Sequence, residues 1–254
     1  MDTLAALGYH LASYRRVWRS SVFSSFAMPA MFLIAMGVTV GGYVDARGGS
    51  GLGVPYLAYI GPGLLASTAL QVSIGESTWP VFSSFNWIRS YHAMRATPLT
   101  AGAIVRGHLS FIALRIALAS AAFLLVLLPF GVLRSWWSPA ALLAAVLAGL
   151  ALAAPTFAFA AVVDSDGYFA VLFRLVVVPM SLFAGVFFPV GGLPAAARAL
   201  AYVSPLWHGV ELCRAAILGT PTAWGIPIHA AVLLAWIAVG YTLAVRAFTR
   251  RLED

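Results

Sequence analysis

The chain has 254 residues, with 62% hydrophobic, 13% aromatic and only 9% charged side chains, and a mean hydropathy of +0.93, where a soluble domain carries about 25% charge. Several stretches are apolar on every side for about 20 residues, which excludes a soluble enzyme, a disordered chain and a porin-type barrel with its short alternating strands. The net charge of +7 comes from basic residues scattered between apolar runs, the pattern of positive-inside topology and not of a nucleic-acid surface.

All fifteen basic residues are arginine, so the Gly-Lys step of a Walker A loop is missing and the chain is no P-loop ATPase. The single Cys213 excludes an internal disulfide and a cysteine metal cluster.

In residues 1–21, Leu4, Leu7, Leu11, Tyr14 and Trp18 recur at three- and four-residue steps, with His10, Arg15, Arg16 and Arg19 at other angles. This spacing predicts an amphipathic helix on the inner leaflet; a plain basic anchor is the alternative. Six apolar runs then reach the length needed to cross a bilayer: Val22 to Tyr43, Pro55 to Gly75, Val105 to Leu133, Ala140 to Val163, Val171 to Val190 and Trp224 to Phe248. The expectation is an all-α integral membrane protein of one domain with six transmembrane helices. Pro29, Pro155 and Pro179 fall inside the runs and predict kinks. A cytoplasmic N-terminus puts Arg15, Arg16, Arg19, Arg89, Arg95, Arg106, Arg174, Arg246, Arg250 and Arg251 inside and leaves Arg47, Arg134, Arg198 and Arg214 outside. The excess sets both termini in the cytoplasm.

Residues 76–100, between the second and third runs, read as a cytoplasmic helix capped by Ser77 or Thr78, with Pro80 in its first turn and Pro98 as its stop. Phe82, Phe85, Ile88 and Met94 with Arg89 and Arg95 form an apolar and basic surface. That surface suits docking into a partner's groove or resting on the membrane. Arg115 lies well inside the third run, where an arginine costs roughly 2.5 to 3.5 kcal/mol and has to snorkel, pair, or line a polar route. Residues 191–223 are apolar but broken by Pro194, Pro205, Gly209, Gly219 and Pro221, which predicts a pair of short helices dipping into the outer leaflet as a re-entrant hairpin. His208, Glu211 and Arg214 step along the second of them at three-residue intervals. They read either as a polar ridge or as simple charge neutralisation.

Other patterns carry less. Gly61-Pro-Gly63-Leu-Leu-Ala66 has the letters of a dinucleotide fingerprint but opens a span, and Asp164-Ser-Asp166-Gly167 lacks the later acid of a calcium loop. His208 and Glu211 have metal spacing without further ligands, so no metal site is expected.

Tyr56-Leu-Ala-Tyr59-Ile-Gly-Pro62-Gly63-Leu64 opening the second span, Glu76 at its end, Tyr91-His-Ala-Met-Arg95-Ala-Thr97-Pro98-Leu99, Gly185-Val-Phe-Phe188-Pro189 and Pro205-Leu-Trp-His208-Gly209-Val-Glu211-Leu-Cys-Arg214 occur in one order along the chain. In these motifs the chain resembles the permease subunits of ABC-2 type ABC exporters, in the branch of the nodulation lipo-oligosaccharide exporter permease NodJ and related polysaccharide and drug exporters. The resemblance covers nearly the whole chain. It implies a permease homodimer in the cell inner (plasma) membrane, with two copies of a separate ATPase subunit that carry ATP and Mg, and no cofactor in this chain. Residues 76–100 then correspond to a coupling helix, with Glu76, Phe82, Phe85, Arg89, Tyr91 and Arg95 facing the ATPase. Residues 1–21 correspond to an interface helix. Residues 191–223 correspond to an extracellular helical hairpin that caps the exit, and Phe187 and Phe188 before it with Trp207, His208, Glu211 and Arg214 in it are the candidate gate residues. Family members often carry an acid near the start of the third span, where this chain has Arg106-Gly107-His108. The implied function is export of an amphipathic substrate: a lipid-linked glycan, a glycolipid or a hydrophobic drug. The competing readings are a membrane enzyme acting on lipid, with His208 and Glu211 as acid and base, and a partner-independent secondary transporter. The second expects intramembrane acids, and Glu76, Asp164 and Asp166 fall at span edges.

Overall fold

The computed structural model describes residues 2–16, 18–19, 27, 30–46 and 53–253, and every regular element among them is helical. Helix α1 (Asp2–Tyr14) is followed by a π-helical stretch, Leu33–Val40, that runs into α2 (Gly41–Ala46). Next come α3 (Tyr56–Ser77), the short α4 (Trp79–Asn86) and α5 (Ser90–Arg95), and the long α6 (Ala101–Leu127) and α7 (Ala140–Val162). The chain continues through α8 (Gly167–Leu172), a π-helical turn and α9 (Val178–Phe183), then α10 (Ala195–Val203), α11 (Pro205–Leu218) and α12 (Ile226–Glu253).

Helix α7 is the hub, packing against α3, α6, α11 and α12. Its inward face is built from alanine and glycine, with Ala141, Ala144, Ala145, Ala148, Gly149, Ala151 and Ala154 all buried. Small side chains let helix backbones approach closely, which is how helices associate where lipid removes the hydrophobic drive between them. At Gly240 of α12 a Cβ would lie 2.5 Å from the backbone nitrogen of Pro155. The proline interrupts the α7 ladder at the same point. At Gly107 of α6 a Cβ would lie 2.5 Å from that of Ala6, which seats α1 on α6.

A helix, Asp2–Tyr14, stands where the amphipathic helix is expected. Ala6 and His10 are buried against α6, while Leu4 and Leu11 of the predicted apolar stripe are exposed. His10, expected on the polar face, therefore belongs to the packed face, because Gly107 leaves room on α6 for this side of the helix.

Four helical stretches are long and apolar enough to cross a membrane: Tyr56–Asn86, Ala101–Phe130, Ala140–Val162 and Ile226–Glu253. They match four of the six expected spans. Of the fifth expected span, Val171 to Val190, the helix Gly167–Phe183 is shorter and the chain turns away before Val190. Of the first, Val22 to Tyr43, only part lies among the described residues, within the helix Ala30–Ala46; Pro29 and Arg47 lie outside them. Leu114, Leu118, Leu125, Leu143, Leu175, Leu234 and Val239 project outward. An outer surface of large aliphatic residues around a core of alanine suits lipid as the solvent.

Candidate functional site

At one end of the bundle the residues expected as a single coupling helix form two, α4 and α5. Thr78 separates α3 from α4, and its hydroxyl bonds to the Ile74 carbonyl at 2.8 Å instead of capping α4. Pro80 occupies the first turn of α4 as expected, and its carbonyl accepts from the Ser84 hydroxyl at 2.7 Å. Between α4 and α5 the backbone reverses at Arg89, whose φ of 55° is left-handed. A non-glycine residue there costs on the order of 1 to 3 kcal/mol, a cost typical of functional turns.

Burial divides the expected coupling residues. Phe82, Phe85, Tyr91 and Met94 are buried in the chain's own core. Trp87 and Ile88, 63% and 66% exposed, stand on the surface with Arg89, His92 and Arg95. Arg95 reaches Glu253 at 4.0 Å in an exposed pair, which is worth little to stability. The buried aromatics form a continuous chain of rings. Phe85 packs on Tyr91 and on Phe248 of α12, with centroids 4.8 and 4.7 Å apart. Phe248 stacks on Phe157 of α7 at 4.9 Å, and Phe157 meets His108 of α6 at 5.0 Å. His108 stacks on His10 of α1 at 3.9 Å, and its Nδ1 is 2.6 Å from the Tyr91 hydroxyl. Arg251 of α12 closes the cluster, its guanidinium 4.7 Å above the Phe85 ring and donating to the Asn86 side-chain oxygen at 2.9 Å and the Ala161 carbonyl at 2.7 Å. One aromatic core thus ties α4 and α5 to α1, α6, α7 and α12.

Arg115 takes the paired alternative. It lies 3.2 Å from Glu76 in the last turn of α3, with its guanidinium 4.6 Å from the Tyr14 ring. Glu76 is therefore held by Arg115 of α6, which Tyr14 of α1 covers. Fourteen residues into α6, Arg115 sits about 21 Å from the helix start, level with the end of α3, so α1, α4, α5 and the first turns of α6 stand together beyond that level. Arg106 donates to the Tyr241 hydroxyl at 2.8 Å and to Thr3 at 3.3 Å, where an acid was expected from relatives.

At the opposite end the expected polar ridge splits. Arg214 donates to Glu211 at 2.8 Å and to the Gly185 carbonyl at 2.8 Å, and its guanidinium lies 4.1 Å from the Tyr59 ring. His208 turns away from this pair. Its Nε2 meets the Tyr202 carbonyl at 2.9 Å and so carries the proton, which leaves Nδ1 to accept from Nδ1 of His229 at 2.8 Å. A cavity of about 300 Å³ opens beside the ion pair, lined in part by Tyr59, Pro189, Tyr202, Trp207, Glu211 and Arg214. Trp207 is buried, whereas Phe187 is half-buried and Phe188 exposed. Asp164 to Asp166 form the turn between α7 and α8, and among the described residues no group of three or more His, Cys, Asp or Glu is placed to hold a metal.

Tyr59, His10, His108, Phe157, Phe248 and Arg251 escaped the sequence reading. Arg250-Arg251 stands out only as topology signal, and rings from five helices share no spacing. The histidines offer the one usable clue: polar residues within otherwise apolar faces require partners.

Four helices long and apolar enough to cross a bilayer, two of them tied by the Glu76–Arg115 pair, define a helical protein of the membrane-spanning kind. The family model "ABC-2 type transporter" matches residues 2–218. The chain is 31% identical to Nodulation protein J of Rhizobium leguminosarum bv. viciae over 99% of its length and 95% of the relative's. It is 30% identical to Nodulation protein J of Rhizobium meliloti (strain 1021) and of Sinorhizobium fredii (strain NBRC 101917 / NGR234), over 94% of this chain and 90% of each relative. The chain belongs to the ABC-2 type transporter family, as its membrane subunit, and membership implies a partnering ATPase subunit.

Proposed function

We propose that the chain is the permease of an ATP-driven exporter in the cell membrane, moving an amphipathic substrate such as a lipid-linked glycan, glycolipid or hydrophobic drug outward. Two copies form the permease, each seated on one of two separate ATPase subunits. Both termini are cytoplasmic, the shorter helices Ala30–Ala46 and Gly167–Phe183 complete six spans, and α10 and α11 form a re-entrant hairpin at the outer face. Without lysine the chain has no P-loop, so ATP and Mg belong to the partner.

The observation that carries this reading is the aromatic core joining α4 and α5 to four longer helices. Trp87, Ile88, Arg89 and Arg95 form the docking surface, while Phe82, Phe85 and Tyr91 behind them pass its movement to the spans. Closure of the partner subunits shifts α4 and α5, and the packed core turns that shift into a rigid-body change of the helices. Glu76 with Arg115 pins α3 to α6 at the inner end. At the outer end Glu211 and Arg214, beside Phe187, Phe188, Trp207 and the neighbouring His208, hold the exit gate.

The tagged chain, purified from native membranes in mild detergent, is expected to bring down a P-loop ATPase in stoichiometric amount. Trp87→Ala with Ile88→Ala, and separately Arg89→Gln, should reduce its recovery at least fivefold while leaving membrane insertion intact. Phe85→Ala should lower thermal stability instead. Recovery of the chain alone, without an ATPase, would overturn the exporter reading.

A further inference from the structure

One further cavity among the described residues belongs to neither candidate surface. It is a cleft of about 660 Å³ between the end of α7 and the last turns of α12, with Phe159, Val162 and Leu243 on its apolar wall and Arg246, Arg250, Arg251 and Asp164 supplying charge. Arg251 is committed to the Ala161 and Val163 carbonyls and to Asn86. Arg246 and Arg250 are exposed, one helical turn apart, and neither hydrogen-bonds nor ion-pairs through its side chain among the described residues. Like charges at this spacing repel, and a single aspartate leaves the cleft net positive. Leu234, Val239 and Leu243 continue along the outside of α12, and Val162 stands exposed on α7, so an apolar track leads into the basic end. The arginines lie in the last turns of a helix long and apolar enough to cross a membrane. Hydrocarbon gives way to headgroups at that depth, where basic pockets between helices bind lipid phosphates.

We propose that this cleft binds a phosphate-bearing anionic lipid, with the phosphate between Arg246 and Arg250 and an acyl chain along Phe159, Val162 and Leu243. The guanidinium fork matches a phosphate in two-point contact, and the apolar wall distinguishes a lipid from a free phosphate ester.

Native mass spectrometry of the full chain in detergent tests it, with phosphatidylglycerol, phosphatidylcholine or glycerol 3-phosphate added. Phosphatidylglycerol adducts should survive on the wild type and fall at least fivefold in the double variant Arg246→Gln, Arg250→Gln. The double variant Arg246→Lys, Arg250→Lys should retain most of them, and Arg134→Gln at the opposite end all of them. Phosphatidylcholine and glycerol 3-phosphate should give few adducts. Equal phosphatidylglycerol retention by wild type and the glutamine pair overturns the site, and equal binding of glycerol 3-phosphate overturns the lipid assignment. Loss of a co-purifying protein from the glutamine pair with lipid adducts unchanged reassigns the cleft to that protein.

Discussion

The imidazole of His10 is buried between α1 and α6, stacked on His108, edge-on to Tyr9, and with its Nε2 unpartnered. Burial lowers its pKa from 6.5 to about 4. The unfolded or undocked helix therefore binds a proton that the docked one refuses. This stabilisation is complete above pH 6.5 and is lost as pH falls through about 4, a difference on the order of 3 kcal/mol. A cysteine placed at Ala6, which is buried, should be protected from a membrane-impermeant maleimide-type reagent at pH 7.5 and become labelled as the medium is taken toward pH 5. Adding His10→Phe should flatten that dependence, and unchanged pH dependence in the phenylalanine variant would show that another group governs release.

Elements were legible where hydropathy alone decides them. The four long helices run close to the apolar stretches, since twenty or more apolar residues leave the backbone no other way to satisfy its hydrogen bonds in lipid. The division at Arg89, the burial of His10 against α6 and the splitting of His208 from Glu211 were not legible. Each depends on what a neighbouring helix offers, such as the gap at Gly107 or the ring of His229. Crossings of this kind are sensitive to single atoms. Gly240→Ala would set a Cβ 2.5 Å from the Pro155 nitrogen, and because backbone cannot rotate away, the crossing must open, at a cost of about 1 to 3 kcal/mol. Gly75→Ala meets nothing within 4 Å and gains about 1 kcal/mol of helix propensity. Thermal unfolding in detergent should lower the midpoint of the first and leave or raise that of the second. Equal midpoints would remove the α7–α12 contact as a determinant of stability.

Across the whole molecule, the proposed docking residues and the spans meet through several side chains, and Phe248 is one that touches both sides. Fully buried, it touches Phe85 and Tyr91 on the docking side and Phe157 on the α7 side. If a push on Trp87, Ile88 and Arg89 is to move α7 and α12 as a body, the rings between them have to be incompressible, and close packing gives them that property. Phe248→Ala leaves a void at this junction, with a stability loss of about 3 to 5 kcal/mol, whereas Phe248→Leu refills most of the volume. In vesicles containing the permease and its ATPase, Phe248→Ala is expected to keep hydrolysing ATP while moving several-fold less substrate per ATP, and Phe248→Leu to recover most of that ratio. The decisive quantity is the ratio and not either rate alone, since a merely unstable protein loses transport and hydrolysis together. A proportional fall of both in the alanine variant would mean that the aromatic core holds the subunit in shape without carrying the stroke.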